Sequence, residues 1–456
     1  MDSIIEKRIR HAVGGDFFSK NEADRLLYSY DATAGKVLPD ALVRAHSPEQ
    51  IAALMKLATE FGIPVTPRGG GSGMTGGSIP VHGGIVLVMS GMNRILEVDT
   101  DNLIARVEPG VVTADFHKAV EALGLFYPPD PASSAFCTLG GNLAECAGGP
   151  RAVKYGVTRD YVLGLEAVLP TGEMIRTGVQ TMKGVVGYDL TRLIVGSEGT
   201  LAVITSMTLR LLPLPESIRT MAVIFDDMRK AAATVSEIIR RGFIPRTIEY
   251  LDHAAIVCAE TQIPGQLPLD AGAMLLIEVD GREAETLSMA EAVASLCREM
   301  GAREVKLAAT KEEAASLWAA RKAVSPALFR YGPHKINEDI VVPRSKIPDV
   351  VDKIEELKEK TGLMMVSFGH AGDGNIHFNI MLDKKDAKAL MRAEWAVQEL
   401  FRYILLLGGT LSGEHGIGTS KQPYFDMEIG PVEKALMLRL KKAFDPAGIL
   451  NPGKIF

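Results

Sequence analysis

The sequence predicts an α+β protein with two differently patterned parts. In the first part, short strands and turns follow a connection that is exceptionally rich in glycine, RGGGSGMTGGSIP at residues 68–80. Beyond Pro213 and Pro215 the pattern changes to repeated β-α-β units with hairpins, which indicate a sheet layered with helices on one face. A chain of 456 residues has room for two or three domains at about 150 residues each.

The first part begins with residues 1–37, which are predicted to form one or two helices with a polar tail. Ser47 then supplies a helix N-cap, Pro48 the first helical position and Gln50 a capping-box partner, and Gly62 ends that helix. Short strands alternating with turns are expected afterwards, at 64–67, at 84–89 and between 100 and 212, with a hairpin turn at 171–173.

Three β-α-β units are predicted in the second part. Their strands are expected at 221–225, 245–251, 273–279, 302–308, 339–343 and 363–368, and their helices near 228–241, 283–300 and 348–360. A further strand at 375–382 extends the third unit. Helices near 385–406 and 431–444 complete the pattern. The predicted organisation is an N-terminal helical segment (1–37), a first domain (38–215), an α+β domain with an antiparallel sheet (216–410) and a C-terminal segment (411–456).

Composition and charge argue against several classes of protein. Fifty Lys and Arg against 56 Asp and Glu give a net charge of −6 without a basic block, so a nucleic-acid partner is not expected. The four cysteines fit no zinc, iron–sulfur or redox spacing, and we expect buried, reduced thiols at Cys137, Cys146, Cys258 and Cys297. Without a secretory signal or a transmembrane stretch, a cytoplasmic location is expected, while peripheral docking at the inner face of a membrane stays open.

The glycine-rich connection contains the G-x-G-x-x-G spacing at Gly71, Gly73 and Gly76. A Rossmann loop opens directly into a helix, whereas this one runs into Pro80 and β-forming residues, so we reject that interpretation. Consecutive glycine N–H groups still hold an anion without a helix, and further donors come from Arg68, Ser72, Thr75 and Ser78. A phosphate-bearing cofactor is therefore predicted, with a flexible surface loop as the alternative.

Two further clusters of Gly, Ser and Thr support a long ligand lined by backbone. They are PDPASSAFCTLGGNLAECAGGPRAVKYG at 129–156 and GSEGTLAVIT at 196–205. Three such stretches in one domain fit a molecule the size of a dinucleotide.

Together these three motifs resemble the FAD-binding oxidoreductases of the vanillyl-alcohol-oxidase/p-cresol-methylhydroxylase type, from about Pro39 to Phe456. The resemblance implies a two-part FAD-binding domain whose 68–78 loop wraps the FAD pyrophosphate, then a substrate or cap domain, and a C-terminal segment that returns to the flavin. It assigns the cofactor to Pro67, Arg68, Gly69, Gly70, Gly71, Ser72, Gly73, Thr75, Ser78, Pro131, Ser134, Thr138, Gly141, Asn142, Ala147, Gly148, Val203 and Ile204. Relatives that bond FAD covalently through this loop carry His at the position of Ser72, so non-covalent FAD is expected.

The strongest chemical signal is GHAGDGNIHFN at 369–379, two strand patterns joined by a turn. His370 and His377 can approach each other across such a hairpin, and Asn379 shares a face with His377. Two His and a polar residue suit a metal, with a further ligand available from Glu414 or His415 in a second glycine-rich loop. The alternative is a set of buried polar residues that satisfy turns.

These motifs narrow the resemblance to the 2-hydroxyacid branch, which includes D-lactate dehydrogenases, D-2-hydroxyglutarate dehydrogenases and the flavin subunit of glycolate oxidase. The resemblance implies a divalent metal (Zn, or Mn or Fe) on His370, His377 and Glu414, with His415 as catalytic base. It also assigns substrate binding to Arg321, Ser325, Lys335 and Asn379. Relatives specific for longer diacids carry Lys at the position of Asn337, which favours a small monoacid here.

The predicted function is FAD-dependent, metal-assisted oxidation of a small D-2-hydroxyacid, D-lactate or glycolate, to the 2-oxoacid. Because the chain has no iron–sulfur ligand set, electrons are expected to pass to an iron–sulfur subunit, an electron-transfer flavoprotein or a quinone-linked acceptor; oxidase activity and a homodimer stay open. Alternatives are a D-2-hydroxyglutarate dehydrogenase, a non-redox flavin transferase such as an alkyl-glycerone-phosphate synthase, and a non-catalytic flavin-binding module.

Overall fold

The computed structural model describes residues 2–33, 35–263 and 267–456. The strands are β1 (Phe18–Ser19), β2 (Ala41–Arg44), β3 (Val65–Arg68), β4 (Ile85–Val88), β5 (Ile95–Asp99), β6 (Ile104–Val107), β7 (Leu125–Phe126), β8 (Val162–Val168), β9 (Met174–Gly178), β10 (Val203–Arg210), β11 (Leu212–Pro213), β12 (Ser217–Phe225), β13 (Thr247–Asp252), β14 (Ala273–Gly281), β15 (Glu304–Leu307), β16 (His334–Val341), β17 (Met364–His370) and β18 (Asn375–Leu382).

The α-helices alternate with these strands. They are α1 (Ser3–Val13), α2 (Glu22–Leu27), α3 (Pro48–Phe61), α4 (Thr113–Glu121), α5 (Leu139–Glu145), α6 (Ala152–Tyr155), α7 (Leu190–Ile194), α8 (Met228–Arg240), α9 (His253–Glu260), α10 (Glu283–Glu299), α11 (Lys311–Ala327), α12 (Ile347–Thr361), α13 (Ala387–Leu406), α14 (Phe425–Glu428) and α15 (Pro431–Phe444).

The chain divides into two compact units, and each is built from more than one stretch of sequence. The first unit comprises Met1–Gly148, Val157–Leu214 and Glu414–Phe456, and the second comprises Gly149–Gly156 and Pro215–Gly413. Both mix helix and sheet, so the predicted α+β class is confirmed.

The first unit contains the two sheets expected of a two-part domain. A four-stranded sheet runs in the order β1-β2-β4-β3, and its last three strands are parallel. A five-stranded antiparallel sheet runs in the order β5-β6-β10-β8-β9. The C-terminal stretch joins the first of these cores, because Leu450 bridges to Val65 at the start of β3 and both are buried in one hydrophobic cluster.

Helix α3 follows the predicted local rules with one difference. Ser47 caps it by accepting a hydrogen bond from the Gln50 N–H, and Gly62 ends it at a left-handed φ of 64°. The Gln50 side chain, however, accepts from the His46 N–H at 2.9 Å rather than from the N-cap residue. The capping-box prediction was therefore wrong by one residue, because the carboxamide also reaches across to donate to the carbonyl oxygen of Val13.

Three helices of the first unit lie where only strands and turns were predicted, and these are α4, α5 and α7. In α4 the buried residues Thr113, Phe116 and Val120 have the helical spacing that should have indicated it. Helix α5 was not predicted because it begins LGGN and glycine is unfavourable within helices.

The second unit is organised around one seven-stranded sheet in the order β15-β12-β14-β13-β17-β18-β16. Every neighbouring pair is antiparallel. Each predicted β-α-β unit is therefore split by an intervening strand: β14 lies between β12 and β13, β12 between β14 and β15, and β18 between β16 and β17. Strand β16 begins at His334, earlier than the predicted residue 339.

Helices cover both faces of this sheet, so the prediction of helices on one face was wrong. Helices α9 and α11 pack on the face that carries Ala222, Ile224 and Phe368. The alternate residues Met221 and Val223 are also buried and point the other way. Helices α8, α10 and α12 contact β12, β14 and β17 and cover that opposite face.

Two simpler predictions concern cysteines and membrane spans. All four cysteines are free thiols, three of them buried and Cys146 half-buried. Among the described residues, no helix combines the length and the hydropathy that crossing a bilayer requires.

Candidate active site

In the first unit, the glycine-rich connection after β3 packs closely against the second glycine cluster. A Cβ on Gly69 would lie 2.3 Å from Thr138 Oγ1, and a Cβ on Gly70 would lie 2.4 Å from the carbonyl oxygen of Phe136. Only glycine allows such an approach. Residues 68–78 and 136–148 therefore form one backbone surface, which we call the glycine wall.

Side chains at the back of the glycine wall fix its shape. Thr138 caps α5, because its hydroxyl accepts a hydrogen bond from the Gly141 N–H. Asn142 is buried and donates to Thr113 Oγ1 at 2.7 Å. Arg68, also buried, donates to the carbonyl oxygen of Tyr30 at 2.5 Å. Three of the predicted cofactor residues thus hold the wall in place from behind.

The remaining predicted cofactor residues lie around this wall. Pro131 and Ser134 form a turn in which the Ser134 N–H donates to the Pro131 carbonyl oxygen at 2.8 Å. Val203 and Ile204 begin β10, and both are buried; Val203 shares a hydrophobic cluster with residues of β3 and β4. Residues 67–78 and 138–148 therefore lie close together, whereas Val203 is part of the hydrophobic core.

The stretch that carries Glu414 and His415 is tied to the glycine wall. Thr75 donates from Oγ1 to the carbonyl oxygen of His415 at 2.8 Å. Glu198, from the third glycine cluster, accepts from the N–H groups of Ile417 and Gly418, both at 2.7 Å. The backbone of His415 is therefore held by Thr75, and that of Ile417 and Gly418 by Glu198, a side chain that the sequence analysis did not assign.

A second carboxyl, Glu145, lies next to this stretch. A Cβ on Gly416 would lie 2.5 Å from Glu145 Oε2, and within the described ranges this oxygen is buried without a hydrogen bond. Burial and the neighbouring Glu198 carboxyl raise the pKa of Glu145 well above its ordinary value.

In the second unit, the β17–β18 hairpin brings His370 and His377 together. His377 pairs with Phe368, so His370 lies diagonally across the hairpin from it. Their Nε2 atoms are 3.4 Å apart, their ring centroids are 5.1 Å apart at 88°, and both side chains are buried. Two imidazole nitrogens that converge in this way are suited to a divalent ion.

A buried carboxylate that sequence reasoning missed, Glu249 of β13, joins His370 to Arg321. Glu249 Oε1 lies 2.5 Å from His370 Nδ1, and Glu249 Oε2 accepts from Arg321 Nε at 2.7 Å. Burial alone would raise the pKa of Glu249, but the interactions of this carboxyl with His370 and Arg321 outweigh burial and lower that pKa. An acidic residue between Ile248 and Tyr250 in a buried strand is the signal that could have revealed it.

Arg321 approaches from α11 with its terminal nitrogens uncommitted. Its guanidinium lies 4.7 Å from the Phe368 ring centroid. In the part of the chain that the structure describes, its Nη atoms make no hydrogen bond. One turn later Ser325 accepts from Lys335 Nζ at 3.1 Å, and burial lowers the pKa of the Lys335 ammonium group. A planar guanidinium with two open nitrogens is suited to a carboxylate.

Asn379 differs from the other predicted substrate residues, because its side chain is committed inside the sheet. It is fully buried, accepts from Asn337 Nδ2 at 2.8 Å, and donates to the carbonyl oxygen of His377 at 3.2 Å. Asn379 therefore supports the strand that carries His377.

The same sheet fixes the chain immediately before Glu414. Asp339 of β16 accepts from the Gly413 N–H at 2.9 Å and from Asn375 Nδ2 at 2.5 Å. A Cβ on Gly413 would lie 2.5 Å from Asn375 Nδ2. Asp339 and Asn375 therefore hold the backbone of the second unit at Gly413.

Comparison with family models and curated proteins shows the ancestry of the chain. Residues 39–178 match the FAD binding domain model, and residues 214–455 match the model described as FAD linked oxidases, C-terminal domain. The chain is 44% identical to glycolate oxidase subunit GlcD of Bacillus subtilis, covering 99% of this chain and 96% of that protein. It is 36% identical to a D-lactate dehydrogenase of Anaerostipes hadrus, covering 94% and 92%.

Solved structures share the fold at lower identity. p-Cresol methylhydroxylase with substrate bound aligns with a TM-score of 0.83 at 19% identity, covering 99% of this chain and 96% of that one. An alkyldihydroxyacetonephosphate synthase aligns with a TM-score of 0.78 at 20% identity, covering 99% and 86%. The resemblance inferred from the sequence motifs is confirmed, and the chain belongs to the FAD-linked oxidases as an FAD-binding oxidoreductase.

Proposed function

We propose that this protein oxidises a small D-2-hydroxyacid, D-lactate or glycolate, to the corresponding 2-oxoacid with FAD and a divalent metal. The relatives named above as a glycolate oxidase subunit and a D-lactate dehydrogenase support this reaction. The observation that carries the proposal is the pair of converging histidine nitrogens beside an arginine whose terminal nitrogens are open.

The histidine geometry fits a metal ion. Two nitrogen ligands at about 2.0–2.1 Å from a tetrahedral ion stand about 3.3–3.4 Å apart, and the Nε2 atoms of His370 and His377 are separated by 3.4 Å. We assign Glu414 as the third ligand, and Zn, Mn and Fe are all compatible with that set. A bound metal would act as a Lewis acid that lowers the pKa of the substrate hydroxyl.

The charged groups of the second unit favour an anionic substrate. Arg321 is assigned to the substrate carboxylate, because its planar fork matches two oxygens. Lys335, which has only the Ser325 hydroxyl as a hydrogen-bond partner among the described residues, offers a second positive charge. This observation supports D-2-hydroxyglutarate as a second candidate, while Asn337 in place of the diacid-associated Lys favours the monoacid.

His415 is assigned as the base that takes the hydroxyl proton. Its backbone carbonyl oxygen accepts a hydrogen bond from Thr75, which holds the main chain at this position. FAD supplies the acceptor for the hydride that leaves the carbinol carbon. Because Ser72 cannot form the covalent bond made by His in some relatives, we propose that FAD is bound non-covalently, and that its electrons then pass to a partner protein or a quinone-linked acceptor.

Three measurements test the proposal. D-lactate and glycolate should bleach the flavin under anaerobic conditions, and L-lactate should not. Removal of metal by a chelator should abolish turnover while FAD stays bound, and Zn²⁺ or Mn²⁺ should restore it. Acid precipitation should release FAD into the supernatant. An unbleached flavin with every hydroxyacid would refute the reaction, and full activity in metal-free protein would refute the metal.

A further inference from the structure

Glu249 connects two groups to which the proposed function gives different tasks. It is fully buried in β13, directly opposite His370 of β17, so the two side chains share one face of the sheet. One carboxylate oxygen lies within hydrogen-bonding distance of His370 Nδ1, and the other accepts a hydrogen bond from Arg321 Nε. A single rigidly buried carboxylate thus holds both a proposed metal ligand and the proposed substrate-binding arginine.

The contact with His370 sets which imidazole nitrogen is available. When the Nδ1–H group donates a hydrogen bond to Glu249, the neutral ring has its lone pair on Nε2. Nε2 is the atom that faces His377 at 3.4 Å. The carboxylate therefore selects the tautomer that can bind a metal and fixes the plane of the ring.

The contact with Arg321 sets the direction of the guanidinium. The hydrogen bond from Nε to Glu249 and the position of the guanidinium carbon 4.7 Å from the Phe368 ring centroid restrict the rotation of this side chain. The Phe368 ring in turn lies 5.6 Å from the His377 ring. Arg321, Glu249, His370, His377 and Phe368 therefore form a closed circuit of contacts.

We propose that Glu249 is a positioning residue that couples metal binding at the histidine pair to substrate binding at Arg321. The inference rests on the proposed function, because it needs a metal on His370 and a carboxylate on Arg321. The inference depends on the position of the acceptors, because His370 Nδ1 lies against one carboxylate oxygen and Arg321 Nε donates to the other. A carboxamide places an NH₂ group where one of these oxygens stands, so in this geometry one of the two donors faces another donor.

Glu249→Gln is therefore the decisive variant. If its NH₂ faces the imidazole, the ring must accept at Nδ1 and carry its proton on Nε2, where it blocks the metal. If the NH₂ faces Arg321, the guanidinium must turn away. We expect Zn²⁺ affinity to fall about 10- to 100-fold, the usual scale for a group that orients a metal ligand, and KM for D-lactate to rise at saturating Zn²⁺.

The experiment uses the purified, FAD-loaded protein. Zn²⁺ affinity is measured by competition with a chromophoric chelator, and KM and kcat are measured separately at saturating Zn²⁺. Asp252→Asn is the matched control: Asp252 is a buried carboxylate on the same strand that accepts hydrogen bonds from Ala255 and Ser367, and within the described residues it has no hydrogen bond to His370 or Arg321. It should lower thermal stability and leave Zn²⁺ affinity within twofold of the wild type.

The measurements distinguish a coupling role of Glu249 from general loosening of strand β13. Wild-type affinity and KM in Glu249→Gln would overturn the coupling role, and so would an equal loss of affinity in Asp252→Asn, which would indicate general loosening of the strand. His370→Ala distinguishes this failure from failure of the proposed function. If Zn²⁺ binding is abolished in His370→Ala, the metal site stands whatever Glu249 does; if His370→Ala binds Zn²⁺ like the wild type, the metal site itself is refuted.

Discussion

The two units build their candidate sites from different material. In the first unit the glycine wall is made of backbone, and its close packing depends on the absence of side chains at Gly69 and Gly70. In the second unit the site is made of side chains that three strands and one helix bring together, from Glu249, His370, His377 and Arg321. A backbone surface is encoded by contiguous motifs, whereas converging side chains depend on the order of strands in the sheet.

The largest expected effect is the loss of turnover when the His415 side chain is removed and its backbone is kept. His415→Ala keeps the carbonyl group that Thr75 binds, so the glycine wall should stay intact. We expect turnover to fall about 100-fold or more, the scale of general-base catalysis, with FAD and metal content unchanged. Raising the pH should restore little, because the base is missing rather than protonated.

Glu414→Ala is the matched comparison for His415→Ala. As a metal ligand, Glu414 should be needed for metal content, so this variant should lose metal and turnover together. Metal analysis beside steady-state rates separates the two roles. If His415→Ala lost its metal and Glu414→Ala kept it, the assignment of base and ligand would be reversed.

A smaller effect is expected when a side chain is added to the backbone surface. Gly70→Ala forces a methyl group against the carbonyl oxygen of Phe136, and overpacking of this kind costs about 1–3 kcal/mol. We expect the FAD dissociation constant, measured by flavin fluorescence, to rise about tenfold. Among the described residues, a Cβ on Gly73 meets no atom within 4 Å, so weaker FAD binding by Gly73→Ala would indicate contact with the cofactor itself. Unchanged FAD affinity in both variants would contradict the role of the wall.

The smallest effect concerns stability and its dependence on pH. The pKa of Glu145 is raised in the folded protein by burial and by Glu198. Above its unfolded pKa, the folded protein holds more protons than the unfolded chain, so this group lowers the free energy of unfolding as pH rises, by at most about 1.4 kcal/mol per pH unit. Glu145→Gln removes this pH-dependent contribution to the free energy of unfolding, because a carboxamide does not titrate.

Urea titrations of FAD-loaded protein at several pH values measure this difference. Relative to wild type, Glu145→Gln should gain stability as the pH is raised from 5 towards 8, and the difference should level off below the ordinary carboxyl pKa. A difference that stays constant with pH would show that Glu145 titrates normally in the folded protein.

Features formed by contiguous sequence were predictable, whereas contacts that depend on the order of strands were not. The Rossmann loop was rejected because Pro80 and β-forming residues follow it, and β4 does follow the loop. The His370–His377 approach was predictable, because one hairpin contains both residues. Glu249 was not, since its approach to His370 requires β13 to pair with β17 across more than 100 residues of sequence. The split β-α-β units escaped prediction for the same reason.

The first unit also depends on residues that the ribosome adds after the whole second unit. The carbonyl oxygen of Ile449 accepts from Val65, and Asn451 donates to the carbonyl oxygens of Gly77 and Glu198. Domains commonly fold in the order of their synthesis, yet Val65 of β3 and the carbonyl oxygens of Gly77 and Glu198 lack these hydrogen-bond partners until residues 449–451 emerge. We therefore expect flavin loading to follow synthesis of the whole second unit, and a nascent chain stalled within that unit to be more sensitive to proteases in its first unit.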